Sequence, residues 1–148
     1  MKNKSLVGAA GVHYVCAELN MQGLIALPTV RNTKGIDIIV LKENGDLLAN
    51  LQVKTSSKKA SFWIIGKDFN EWKGKKDAYI FVRYYDEKFE AFFAPASQVI
   101  KEANECLKNG LKKGNKAWAP CWYLPKNNIA KIRWRMLSKF RTLYERAN

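Results

Sequence analysis

Gly35-Ile36-Asp37, a turn at Glu43-Asn44-Gly45-Asp46, and then Leu51-Gln52-Val53-Lys54-Thr55 form the stretch that decides how this chain is read. Ile36 to Leu41 is β-branched and apolar except for Asp37, and Leu47 to Thr55 is a second strand pattern. Asn-Gly between two such runs is a strong hairpin signal. On the second strand the period of two puts Leu51, Val53 and Thr55 on one face and Asn50, Gln52 and Lys54 on the other. An ionised carboxylate in an apolar strand is costly unless it is paired or holds a metal. The hairpin carries Asp37 towards Gln52 and Lys54, a cluster of hard oxygen donors with an ammonium beside it, suited to Mg²⁺ and a water.

Working outward, Val12, Val15, Cys16 and Leu19 fall at i, i+3, i+4 and i+7, which predicts a helix over Leu6–Gln22 ended by Gly23. Leu24 to Leu27 reads as a short strand stopped by Pro28, and Arg31 to Gly35 as a loop. Phe62 to Ile65 is a further strand, and Tyr79–Tyr85 with Phe89–Ala94 a second hairpin around Asp86-Glu87-Lys88. A helix is expected from Pro95-Ala96-Ser97, with Ser97 as its cap, to about Leu107. A last helix is expected over Asn128–Arg146, its apolar stripe being Ile129, Ile132, Met136, Phe140 and Leu143. This order predicts an α+β fold, a central mixed sheet flanked by helices with a basic C-terminal helix. The 148 residues are expected to form one domain, with a core over 6–108 and a basic aromatic extension over 109–148.

Composition narrows the function. The net charge is +13, and it is uneven: residues 1–100 hold 14 basic and 10 acidic side chains, residues 101–148 hold 12 and 3. That asymmetry points to a polyanion partner, because each neutralised phosphate releases counterions. Cys16, Cys106 and Cys121 form no CxxC pair, which argues against a zinc site or a disulfide framework. His13 is the single histidine, which removes histidine metal cages and Ser-His-Asp triads. No apolar run approaches the roughly 18 residues of a membrane span, and no signal peptide is evident, so the expected compartment is the cytoplasm.

At Gly35-Ile36-Asp37 and Gln52-Val53-Lys54-Thr55 the chain resembles the PD-(D/E)XK, restriction-endonuclease-like, nuclease superfamily, in particular a bacterial subgroup with G-[IV]-D, a hairpin and Q-V-K-T. The resemblance runs from Gly11 through Lys54 and more loosely to Pro95. It implies a metal-dependent DNA endonuclease in which Asp37, Gln52 and the Val53 carbonyl hold Mg²⁺, with Mn²⁺ able to substitute. Lys54 would orient the attacking water or stabilise charge on the scissile phosphate. Gln52 stands at the second acidic position, and Val12 stands where relatives carry a glutamate on the first helix. His13 points about 100° away round the helix, and Glu18 lies towards its far side.

Lysines flanking this segment (Lys58 and Lys59, then Lys73, Lys75 and Lys76) suit a phosphate track or a merely solvated face. The same two readings hold for Lys112, Lys113 and Lys116, and for Lys131, Arg135 and Lys139 on the last helix. Trp118 and Trp122 read as core residues before base-stacking ones. DNA is the expected partner, a homodimer is compatible with the pattern, and no membrane contact is expected. Two other readings stay open: a nucleic-acid-binding protein that keeps the fold without catalysis, and a protein-interaction module such as an inhibitor or toxin partner.

Overall fold

A computed structural model of the chain describes residues 3–30, 35–72, 74–114, 119–126 and 136–147. The first helix, α1 (Lys4–Met21), is capped by the Asn3 carboxamide, which accepts the Ser5 N–H at 2.9 Å. It ends as its glycine predicts: Gly23 takes φ 77°, and the N–H groups of Gly23 and Leu24 return to Asn20 and Leu19. Strands β1 (Ile25–Pro28), β2 (Ile38–Leu41) and β3 (Leu47–Ser56) follow as an antiparallel meander. The β2–β3 turn forms at the expected Asn-Gly, with Gly45 at φ 88° and its N–H bonded to the Lys42 carbonyl.

The chain then leaves the sheet through β4 (Phe62–Ile64) and a turn of 3-10 helix at Phe69–Glu71. It re-enters as β5 (Asp77–Tyr85), parallel to β3, and turns back as β6 (Lys88–Pro95). The β5–β6 hairpin closes on Asp86 and Glu87 at φ 53° and 58°, the left-handed pair that a two-residue turn needs. The result is a five-stranded mixed sheet in the order β1-β2-β3-β5-β6, with helices on its faces. This is the α+β architecture expected from the sequence.

The helix α2 (Ala96–Lys112) begins after Pro95, and Ser97 does not cap it. Extended backbone at Pro95 already sets the entry, so the expected cap shifts by two residues. The strand β7 (Cys121–Tyr123) pairs antiparallel with β4, making a two-stranded ribbon apart from the main sheet. The expected last helix is not continuous through Met136. Its stretch 128–135 lies outside the described residues, and Met136 is extended, bridging Phe92 on β6. A 3-10 turn at Leu137–Lys139 and α3 (Phe140–Ala147) follow. Pairing with the outer edge of β6 takes Met136 out of helical conformation.

Alternation along β5 divides the core between the sheet's two faces. Ile80 and Val82 face α1 and α3, joined by Leu51, Val15, Leu19, Phe93 and Phe140. Tyr79 and Phe81 face α2 and the ribbon, joined by Trp63, Trp122, Val99 and Ala103. Trp122 is fully buried and stacks on Phe81 at 4.1 Å, as the core reading of that tryptophan expects. Each such large apolar side chain contributes roughly 1.5–3 kcal/mol by leaving water. Among the described residues no helix is long and apolar enough to cross a membrane.

Candidate functional site

The register of β2 on β3 ends at the pair Ile38–Leu51. One residue earlier, Asp37 still extends the ladder: its N–H donates to the Leu51 carbonyl at 2.8 Å, and its carbonyl accepts the Thr29 N–H at 2.9 Å. Asp37 therefore stands at the lip of β2 rather than inside the strand, where the sequence pattern put it. Before it the chain turns away through Gly35, φ 67°, where a Cβ would meet the Trp72 ring at 3.5 Å. Val53 is then the first residue of β3 on that side with no strand opposite. Its N–H donates instead to Oδ2 of Asp37 at 2.7 Å. A side chain takes the place of a missing strand, and the carboxylate is held against β3.

Main-chain N–H and C=O of one strand residue point to the same side, so the Val53 carbonyl faces the same open edge as the Asp37 carboxylate. Gln52 and Lys54 project from the opposite sheet face to Leu51 and line a cleft of about 660 Å³. Its walls include Ile65, Phe69, Trp72 and Tyr79, with Lys67, Asp68 and Glu71 nearer solvent. Lys54 is half-buried, and burial pulls its ammonium below the ordinary lysine pKa, while the Asp37 charge pulls the other way. Burial dominates, because a cation beside apolar walls loses more hydration than one carboxylate returns.

The structure thus brings together Asp37, the Val53 backbone and Lys54, with Gln52 on the neighbouring cleft wall. The donors of this motif that could hold a cation are oxygens: the Asp37 carboxylate, the Val53 carbonyl and the Gln52 amide. That set suits a hard ion such as Mg²⁺ completed by phosphate oxygens and water, and is too small to be an all-protein cage. Among the described residues there is no group of three or more His, Cys, Asp or Glu side chains placed for a metal.

On α1, Val12 is half-buried against the core and His13 is exposed. Glu18 is half-buried rather than on a freely solvated face, and it is bonded by the Tyr14 hydroxyl. Burial, then the Glu18 charge and that bond, raises the Tyr14 pKa. Gly11 is buried at the crossing of α1 over β3.

The lysines divide along the strands. Lys58 and Lys59 are exposed beyond the end of β3, whereas Lys75 and Lys76 are exposed near its beginning, where the Lys76 carbonyl accepts the Asn50 N–H. A ten-residue strand separates the two pairs by roughly 30 Å, so they lie to either side of Asp37–Lys54 and form no single cluster. Lys76 also donates from Nζ to the Leu47 carbonyl at 2.8 Å. Lys113 and Lys139 are exposed, and Lys112 ends α2. Lys73, Lys116, Lys131 and Arg135 lie outside the described residues, as does Trp118.

Sequence reasoning missed Lys67, Asp68, Glu71, Trp72 and Tyr79 as cleft residues. Only the return of β5 alongside β3 brings Tyr79 opposite Gln52.

With this geometry in view, comparison with solved structures finds a nuclease. The structure of a bacterial homing endonuclease, I-Ssp6803I, superposes with a TM-score of 0.56 over 99% of this chain and 95% of that one. Sequence identity is 14%, so the likeness is one of fold. No protein-family model matches the chain. No curated protein sequence matches it.

Proposed function

We propose that this protein is a Mg²⁺-dependent DNA endonuclease of the PD-(D/E)XK type, hydrolysing phosphodiester bonds at Asp37, Gln52, Val53 and Lys54. The observation that carries the reading is the hydrogen bond from the Val53 N–H to Asp37, which holds the one carboxylate of the motif beside Lys54. The fold it shares with a bacterial homing endonuclease and the net charge of +13 favour DNA as the substrate. Asp37, the Val53 carbonyl and the Gln52 amide would hold the cation, which when bound supplies Lewis acidity and lowers the pKa of water.

The chain's own residues do the rest. Asp37 is oriented by its bond to Val53, so its free oxygen is fixed before substrate arrives. Lys54, on a half-buried strand face, donates hydrogen bonds to the attacked phosphate and stabilises the charge growing there. Its lowered pKa also leaves it readier than an exposed lysine to exchange a proton with water. Lys58 and Lys59 on one side, Lys75 and Lys76 on the other, would take backbone phosphates.

The test is cleavage of linear, branched and single-stranded DNA with Mg²⁺ or Mn²⁺, comparing wild type with Asp37→Ala and Lys54→Ala. Cleavage by wild type that both variants lose supports the reading. No cleavage, or variants that cut as well as wild type, would overturn it.

A second reading, a DNA-binding protein without catalysis, is favoured by Val12, an apolar side chain packed on the core where an acid would enlarge the donor set. It expects affinity that falls steeply with salt and does not change when EDTA is added.

A further inference from the structure

The β4–β7 ribbon presents large apolar side chains to solvent. By alternation, Trp63 and Trp122 turn inward, leaving Phe62, Ile64, Cys121 and Tyr123 on the outer face. Cys121 is buried, but Phe62, Ile64 and Tyr123 are 48%, 59% and 42% exposed. Phe62 and Tyr123 are cross-strand partners with ring centroids 5.7 Å apart, tilted by 32°. The inward tryptophans belong to the core, whereas Phe62 and Tyr123 pack on each other, and Tyr123 shares a side-chain hydrogen bond with Cys106 of α2.

Lysines gather at the Phe62–Tyr123 end of this face, while the exposed Asp68 follows Lys67 at the Ile64 end. Residues 57–67 and 119–126, which build the ribbon, contain four lysines (Lys58, Lys59, Lys67 and Lys126) and no acidic residue. All four are exposed. Lys126 follows the ribbon at the same end as Lys58 and Lys59 precede it, since the Leu124 N–H bonds the Ser61 carbonyl at the Phe62–Tyr123 end. Exposed aromatic rings bracketed by cations match an unpaired nucleic-acid strand, whose bases offer flat π faces and whose phosphates offer charge. A protein partner chosen for apolar contact alone would have no use for the surrounding lysines.

We propose that the outer face of this ribbon binds single-stranded nucleic acid, stacking bases on Phe62 and Tyr123 and holding phosphates at Lys58, Lys59 and Lys126. Binding here needs no metal and no cleavage, so it stands or falls separately from the endonuclease reading. In that reading it assigns the enzyme to DNA carrying an unpaired segment.

The experiment is fluorescence anisotropy in EDTA, with labelled oligo(dT) of about 20 nucleotides and a duplex of the same length, on the full chain. Phe62→Ala/Tyr123→Ala is expected to weaken oligo(dT) binding by about tenfold or more, with duplex affinity changed less than about twofold. Phe62→Trp/Tyr123→Trp should restore binding, which separates stacking from a folding defect. Lys58→Gln/Lys59→Gln should make the salt slope for oligo(dT) shallower by about 1.4.

Equal losses for duplex and single strand, or no loss, overturn the proposal. So does loss of self-association by the alanine variant in sedimentation without loss of oligo(dT) binding, which would make the ribbon an interface between copies.

Discussion

Oδ2 of Asp37 accepts the Val53 N–H at 2.7 Å, at the point where β2 has ended and β3 continues. The carboxylate has two tasks there: it satisfies an N–H that would otherwise lack a strand partner, and it brings negative charge beside Lys54. The two separate by substitution. Asp37→Asn keeps an acceptor and should cost less than about 1 kcal/mol in stability, whereas Asp37→Ala leaves the N–H unmatched and should cost about 1–3 kcal/mol. Both should lose at least about a hundredfold in cleavage rate. Urea unfolding beside a cleavage assay checks the split, and equal stability of the two variants would mean the bond is incidental.

Lys54 makes the opposite trade. Its ammonium is pulled below the ordinary lysine pKa by burial against apolar walls, so the charged form is disfavoured in the folded chain. Lys54→Met keeps the stem and removes the charge. It should raise stability by roughly 0.5–2 kcal/mol while abolishing cleavage, the pattern of a residue kept for function at the expense of the fold. Lower thermal stability in Lys54→Met would show that Lys54 is a structural ion partner of Asp37.

How much of this was legible in the sequence follows from which forces are local. Gly23, Asn44-Gly45 and the alternation of Leu51 to Lys54 report backbone geometry directly, so α1, the β2–β3 hairpin and the faces of β3 could be read. The Ser97 cap was misread because the extended conformation of Pro95 sets the entry of α2. The extended Met136 is a tertiary pairing with β6, which overrides a helical apolar stripe. At the site, the order of Asp37, Gln52 and Lys54 was visible. The cleft was not, because Tyr79 and Trp72 reach it only through the β3–β5 parallel crossing.

Gly11 tests that packing from the helix side. A Cβ there would overlap the Thr55 hydroxyl and lie 2.9 Å from Thr55 Cβ and Cγ2, with α1 seated on β3. Gly11→Ala should therefore destabilise by about 1–3 kcal/mol even though alanine favours helix. Thr55→Ala should be near neutral or stabilising, because Oγ1 of Thr55 is buried without a hydrogen-bond partner. The double variant should recover part of the loss. Thermal melts of the three variants decide it, and a Gly11→Ala protein as stable as wild type would rule out so close a crossing.

Alkaline pH should unfold the protein in an order set by burial. Burial pushes Cys121 up to about 11 from an ordinary 9, with Cys106 adding to it. Burial also pushes Tyr79 and Tyr144 up to about 12 from 10, with Asp77 adding to each. In every case the folded value exceeds the unfolded one, so the folded chain holds the proton longer. The stabilisation is complete below the unfolded pKa and is lost as pH rises towards the folded pKa. The midpoint temperature should thus start to fall near pH 9, from Cys121 and from Cys16, whose thiol pKa burial also raises, and fall more steeply between pH 10 and 12 as the tyrosines join. Lys54 works in the other direction, its lowered pKa favouring the fold as pH rises, but one group does not offset the several thiols and tyrosines whose pKa burial raises. Cys121→Ala should reduce the earliest part of the decline, leaving the share of Cys16, and leave the steeper part in place. If tyrosine ionisation followed by absorbance ran ahead of unfolding followed by circular dichroism, the rings would not be buried as described.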